Sequence, residues 1–350
     1  MKKYLEVYEK IKNEIISKAL VKGDKLPSKR TMASEMKLSV ISVEHAYELL
    51  VSEGYIESKE RRGYFVSFTE GDFYSAAEPS NIDYPAPRKS VNEGLSFDKL
   101  AKITRYVLSS YGEVLLDKTE NKGAPILRTA IKRYLARNKG INVDEEQIVV
   151  GSGAEYLYGL IIELIGEDRV FGIEAPGYKQ IERVYGCKKA NYESLRLSSN
   201  GIPTELLKKT KATILHVTPY RSYPTGACAD VSKKAEYVRW AKEREGFIIE
   251  DDYESEFSIT GSVSDTVFSL DKDDRVIYVN TFSKTIAHSI RVGYMILPRR
   301  LVKKFDENLG FYTCAVPSLE QYLIATVLND GTFEKHVNRI RRQRRAQIKD

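Results

Sequence analysis

Apolar residues near the N-terminus recur at helical spacing. Leu5, Tyr8, Ile11, Ile15 and Ile16 form a stripe whose helix should stop near Lys22-Gly23-Asp24. Pro27 and Ser28 open a second helix, with Ser28 as N-cap and Met32, Ala33 and Met36 on one face. A break at Lys37-Leu38-Ser39 leads to a third. There Ser42 is expected to cap, Val43, Ala46, Tyr47, Leu49 and Leu50 face inward, and Gly54 ends the helix. Tyr55-Ile56 and Tyr64-Phe65-Val66 read as two short strands around a basic tip, residues 58–63. This is the layout of a winged helix-turn-helix.

From Ser67 to about Asn92 the pattern lapses. Pro79, Pro85 and Pro87 among Ser and Asn read as an extended connector. From Leu95 helical patterns alternate with short apolar strands. The strands are Gln147–Val150, Val170–Ile173, Ala212–Val217, Phe247–Glu250 and Arg275–Asn280, with helices at Ile126–Tyr134 and Tyr156–Leu164. That alternation predicts an α/β fold with a mainly parallel sheet covered by helices. Residues 1–67 are therefore expected to form a winged helix-turn-helix, 68–94 a linker, 95–310 a large α/β domain, and 311–350 the start of an incomplete C-terminal subdomain.

Composition narrows the class. The chain has 350 residues, 30% of them charged and 42% hydrophobic, with a mean hydropathy of −0.38. No apolar run approaches the roughly 18 residues needed to span a bilayer. The lysines of the N-terminus have no apolar segment behind them, so a secretory signal is not expected and the cytoplasm is the expected location. The net charge of +6 is mild and does not by itself argue for nucleic acid. Cys187, Cys228 and Cys314 are too widely spaced for a zinc knuckle or a disulfide framework and are read as buried or idle thiols; no metal site is expected.

The first domain has chemistry that suits DNA. A helix in the major groove presents its N-terminal polar residues to base edges, here Ser39, Ser42, Glu44 and His45. Ser28 at a helix start, with Lys29, Arg30, Lys59, Arg61 and Arg62, can meet phosphates or the minor groove. Through Val66 the segment carries 13 basic and 10 acidic residues, so it is only weakly cationic. By patterning alone, a small helical domain that docks on a protein stands level with a DNA binder. The wording separates them. LPS-x-R from Leu26 to Arg30, A-x-x-x-L from Ala46 to Leu50, EGYI and the terminal G-x-F-V resemble the GntR-type winged-helix family over roughly residues 4–67. That family has Arg after the Ser that starts the turn, where this chain has Val40.

In the second domain the candidate residues follow strands, where open α/β sheets bind ligands. Gly151-Ser152-Gly153-Ala154-Glu155 opens a helix and reads equally as an anion cradle or a tight turn. Glu250-Asp251-Asp252-Tyr253 ends one strand; Thr281-Phe282-Ser283-Lys284-Thr285, followed by Arg291, ends another. Singly, each has an ordinary structural reading, and a strand-end salt bridge is preferred for Asp252. Together they meet the needs of pyridoxal phosphate: a Schiff-base lysine, an acid for the ring nitrogen, and an arginine with a helix N-terminus for the phosphate.

APGY from Ala175, TP-x-x-x-YPTG from Thr218, IEDDYESEF from Ile249 and SKT-x-x-x-x-x-RVGY from Ser283 resemble the fold-type I aminotransferases. With the N-terminal domain, nearly the whole chain resembles the MocR-type subfamily of GntR regulators. The resemblance implies that Lys284 bonds pyridoxal 5'-phosphate, Asp251 pairs with the ring nitrogen, Tyr253 meets the phenolic oxygen and Tyr178 stacks on the ring. It assigns Arg291, Thr281, Ser283 and the backbone of Ala154 and Glu155 to the phosphate. Tyr223 stands where the pattern has an Asn that bonds the ring oxygen, and Glu155 where a neutral residue is common; a carboxylate near a phosphate is unfavourable unless it points away, so only the Glu155 backbone N–H is assigned.

Family members continue for about another quarter of their length and there carry an arginine for a substrate carboxylate. Here the sequence ends within a basic helical run, Asn338–Asp350, read as one solvated face of a helix cut in mid-course. Three functions follow. The first is a transcription regulator, implied to be a homodimer, that binds a double-stranded DNA operator and senses pyridoxal phosphate or its adduct with a small amino compound. The second is a working aminotransferase that carries a DNA-binding domain. The third is a DNA binder whose cofactor fold is incomplete.

Overall fold

In a computed structural model of the chain, residues 3–69, 94–166, 168–258 and 266–349 are described. They fall into two units, Met1–Arg88 and Lys89–Asp350. Apart from its ends, the expected linker lies outside the described residues.

In the first unit α1 (Lys3–Ile16) buries Val7, Tyr8, Ile11 and Ile15. The helix ends at Ile16, before Lys22, and Ile16 itself is exposed. Successive helical residues lie about 100° apart, so Ile15 and Ile16 cannot both face the core. Ser28 caps α2 (Lys29–Met36), accepting the Thr31 N–H at 3.1 Å. Ser39, not Ser42, caps α3 (Val40–Ser52): its backbone is extended and its Oγ accepts the Ser42 N–H at 3.2 Å. Ser42 occupies the position that donates to a cap. Val43, Ala46, Tyr47 and Leu50 pack into the core while Leu49 is half-buried. The Tyr47 hydroxyl donates to the Pro27 carbonyl at 2.9 Å and ties α3 to the start of α2. Strands β1 (Ile56–Lys59) and β2 (Gly63–Val66) pair antiparallel, Ile56 opposite Val66 and Lys59 opposite Gly63. The winged helix-turn-helix layout is present.

The second unit is built on a seven-stranded sheet. Its strands are β3 (Ile148–Gly151), β4 (Val170–Ala175), β5 (Asn191–Arg196), β6 (Ile214–Val217), β7 (Phe247–Asp251), β8 (Val276–Thr281) and β9 (Gly293–Ile296). The order is β3-β9-β8-β7-β6-β4-β5, and all pairs are parallel except those made by β9. Alternation along β8 shows the two faces. Ile277 and Val279 pack with α6 (Ala154–Ile165), α7 (Lys179–Cys187) and α11 (Arg299–Leu309). On the other face Tyr278 joins α4 (Phe97–Tyr111), α5 (Pro125–Lys139), α12 (Ser318–Asn329) and α13 (Thr332–Lys349). Val276 packs on that face with α9 (Val231–Glu243), beside α8 (Thr204–Lys209) and α10 (Val267–Leu270). Leu323, Ile324, Leu328, Phe333, Val337 and Ile340 share one core with Leu127 and Val150, so residues assigned to a C-terminal subdomain pack here on α5 and β3.

Two of the three thiols, Cys187 and Cys228, are exposed rather than buried, and none is paired. Among the described residues no helix is long and apolar enough to cross a membrane.

Candidate functional site

Strands β7 and β8 run parallel, so Asp251 and Thr281 emerge at the same sheet edge. The loops that follow them and the start of α6 enclose a cavity of about 390 Å³. It is lined by all ten residues expected at a cofactor: Ala154, Glu155, Tyr178, Tyr223, Asp251, Tyr253, Thr281, Ser283, Lys284 and Arg291. Tyr158, Thr218 and His288 complete the lining and were not anticipated. Tyr158 is legible only as an apolar helix position until β7 is placed beside it.

Lys284 donates from Nζ to the Tyr253 hydroxyl at 2.6 Å and pairs with Glu254 Oε1 at 2.5 Å. Burial works against its charge, but the bonds to Glu254 and Tyr253 outweigh it and hold the amine above its ordinary pKa. Glu254 also meets Arg344 of α13 at 3.6 Å. Arg344 lies over the Phe257 ring, and Arg341, one turn before it, donates from Nε to the Glu256 carbonyl at 2.6 Å. The basic run of α13 is therefore not wholly solvated: at spacing i, i+3, Arg341 and Arg344 face the loop that carries Tyr253.

Asp251 is buried at the end of β7 and accepts a hydrogen bond from Tyr158. Burial, only partly offset by that bond, pushes its carboxyl up to about 7. Among the described residues it has no cationic partner. A buried acid without a cation at one end of a cavity suits a protonated ring nitrogen. Behind it Tyr158 packs edge-on against His216 at 4.7 Å, and burial holds the His216 imidazole down to about 3, hence neutral.

Arg291 lies at the other end, beside the first turn of α6. Gly153 makes this approach possible. Its φ is +92°, and a Cβ there would stand 2.7 Å from Arg291 Nη2. The free N–H groups of a helix start and a guanidinium suit a phosphate. The Glu155 carboxylate, whose direction the sequence leaves open, pairs with Arg291 at 2.7 Å and accepts from the Tyr178 hydroxyl at 3.4 Å. Opposite charge so close outweighs the electrostatics that the bare sequence suggests. Ser283 donates its hydroxyl to the Ile290 carbonyl at 2.8 Å, and the Thr281 N–H is taken by Asn280 Oδ1 at 2.6 Å. Tyr223 is 64% exposed at the rim.

Asp252 turns the opposite way from Asp251 and makes the strand-end salt bridge preferred for it. It accepts from Lys139 at 2.8 Å, Ser255 at 2.7 Å and Tyr278 at 2.5 Å, all within the core.

In the first unit, Arg30 and His45 are exposed, and His45 contacts the Tyr4 ring edge-on at 6.0 Å. Lys29 and Glu44 pair with each other at 2.5 Å, while the Ser28 and Ser39 hydroxyls cap their own helices. Ser42 Oγ bonds Ser39 Oγ at 2.9 Å. At the hairpin, Arg61 is 92% exposed. Lys59, Arg62 and the unanticipated Lys25 surround the Phe65 ring at 5.1–6.0 Å. An isolated bridge between Lys25 and Phe65 brings that lysine in, a pairing no local pattern reveals.

Residues 112–349 match the family Aminotransferase class I and II, and residues 3–66 match Bacterial regulatory proteins, gntR family. The chain is 31% identical to the uncharacterized HTH-type transcriptional regulator YdeL of Bacillus subtilis, over 97% of this chain and 76% of that one. It is 27% identical to the probable rhizopine catabolism regulatory protein MocR of Rhizobium meliloti, over 96% and 74%. It is 25% identical to the pyridoxine biosynthesis transcriptional regulator PdxR of Corynebacterium glutamicum, over 99% and 78%. Among solved structures it resembles the multiple substrate aminotransferase of Thermococcus profundus, with a TM-score of 0.64 at 22% identity over 70% of this chain and 63% of that one. An archaeal alanine:glyoxylate aminotransferase gives 0.63 at 23%, over 68% and 61%. At those identities the likeness concerns the fold, and the chain spans less than two thirds of each solved enzyme.

Proposed function

The chain belongs to the MocR-type GntR regulators, a winged helix-turn-helix fused to a fold-type I aminotransferase-like domain, and on that footing we propose that it is a DNA-binding regulator whose second unit binds pyridoxal 5'-phosphate and senses it, or its adduct with a small amino compound. One observation carries the reading. Lys284, Tyr253, Asp251 and Arg291 line a single cavity at the sheet edge, and its buried acid has no cation among the described residues.

Bound there, pyridoxal phosphate supplies an aldehyde that condenses with amines and a ring that withdraws electrons when its nitrogen is protonated. Asp251 holds the proton at that nitrogen, and Tyr158 fixes the orientation of the carboxylate. Arg291 and the first N–H groups of α6 hold the phosphate. Tyr178, which lines the cavity, would stack on the ring. Lys284 is the covalent anchor. It must lose a proton to act as a nucleophile, and the Glu254 carboxylate is the adjacent group able to take it, while the Tyr253 hydroxyl holds the amine in place by a hydrogen bond. In the first unit, Arg30, Lys59, Arg61 and Arg62 meet the backbone while the start of α3 meets bases.

Sensing requires that the ligand bind two conformations with different affinity. A homodimer on paired half-sites is the assembly that suits this family and reading. The test uses a duplex selected from a random library by the full chain. Pyridoxal phosphate, alone or with a mixture of amino acids and amines, is expected to shift the affinity for that duplex at least about fivefold, the size of a modest coupling free energy. Lys284→Ala should bind the duplex without responding. An identical affinity with and without every ligand would refute the sensing role.

A further inference from the structure

At the phosphate end of the pocket stands a carboxylate that the cofactor reading does not use. Arg291 is the only cation lining that end among the described residues, and Glu155 is already paired with it at 2.7 Å. The contact is held from two sides. Tyr178 donates to the second carboxylate oxygen, and the absent side chain of Gly153 lets the guanidinium reach the helix start. Arg291 is 51% exposed and Glu155 35%, so the pair is partly screened, yet any anion seated at the start of α6 must share or displace it. The other pocket cation, Lys284, is likewise paired with Glu254.

Resting on the cofactor reading above, we propose that Glu155 is a specificity-determining residue: its carboxylate competes with a phosphate ester for Arg291 and sets how strongly the pocket prefers a phosphorylated pyridine aldehyde over the same aldehyde without phosphate. A dianionic group at that end meets a like charge fixed beside its own counter-ion. The ring end feels that charge more weakly: burial comes first in raising Asp251 and Tyr158, and Glu155 adds a lesser push in the same direction. The discrimination between the two aldehydes is therefore weaker in this chain than Arg291 and a helix N-terminus alone would give.

The test is equilibrium binding of pyridoxal 5'-phosphate and of pyridoxal to the full chain and to Glu155→Gln, followed by visible absorbance and by borohydride fixation at Lys284. Gln keeps the length of the side chain and can still accept from Tyr178. The expected result is about tenfold tighter binding of pyridoxal phosphate to the variant, with pyridoxal changed by less than about twofold. Added salt should shrink the difference. Glu155→Ser, which removes the carboxylate without mimicking it, should move the preference the same way. Equal affinities of parent and variants for pyridoxal phosphate, or equal tightening for both aldehydes, would overturn the proposal while leaving the cofactor reading intact. If no protein fixes either aldehyde at Lys284, the cofactor reading fails and this proposal fails with it.

Discussion

A carboxyl such as Asp251 carries opposite demands from stability and from ligand binding. Burial raises it to about 7, against an ordinary value near 4. Between those values the unfolded chain releases the proton before the folded one does. The stabilising contribution is therefore complete below about pH 4 and is lost as pH rises through about 7. Glu174 and Glu250, also raised to about 7 by burial, slope the same way. Asp251→Asn cannot ionise but still accepts from Tyr158. Its melting temperature should exceed the parent's by about 2–4 °C at pH 8, with the gap closing near pH 4, while its affinity for pyridoxal phosphate falls. A gap that is the same at both pH values would mean that Asp251 does not carry the charge assigned to it.

Among elements, the loop after β7 shows how one segment is held on two sides. Asp251 and Tyr253 face the cavity, while Asp252 and Glu256 turn inward to Lys139 at the end of α5. Burial disfavours the Lys139 charge, but Asp252 and Glu256 hold its pKa above the ordinary value. Lys139→Met leaves two buried carboxylates without their cation and should cost about 3–5 kcal/mol in chemical unfolding. A loss below about 1 kcal/mol, the scale of an exposed pair, would contradict that burial. The chain order of Asp251 and Asp252 could be read, but their opposite directions follow from strand alternation once β7 is fixed. Strands with apolar runs (β3, β4, β6, β7 and β8) were legible for the same reason. β5 was not, because Asn191–Arg196 buries only Leu195 fully on a sheet edge. β9 was hidden inside a motif read for its chemistry, and its antiparallel direction depends on partners distant in sequence. Seven of the ten expected lining residues stand within the quoted motifs, and Ala154, Glu155 and Thr281 came with the resemblance those motifs carry, whereas Tyr158, the direction of Glu155 and the turn of Arg344 toward Glu254 depend on tertiary placement.

Across the whole molecule, a winged helix-turn-helix and an aminotransferase-like domain share one chain, and the proposed function gives each its own chemistry. Arg30→Ala should weaken binding to the selected duplex and reduce the salt slope by about one, while cofactor content stays unchanged. Unchanged affinity at several salt concentrations would remove Arg30 from the interface. The central claim is that Lys284 is the covalent anchor of a working pyridoxal phosphate site, and the most direct measurement is hydride trapping. The purified chain is mixed with pyridoxal phosphate, its visible spectrum is recorded, borohydride is added, and the modified residue is located by peptide mass mapping. The account predicts a visible band that borohydride abolishes, a reduced adduct on Lys284, and neither in Lys284→Ala. A folded parent with no band and no adduct, or an adduct that persists at another lysine in the variant, would contradict it.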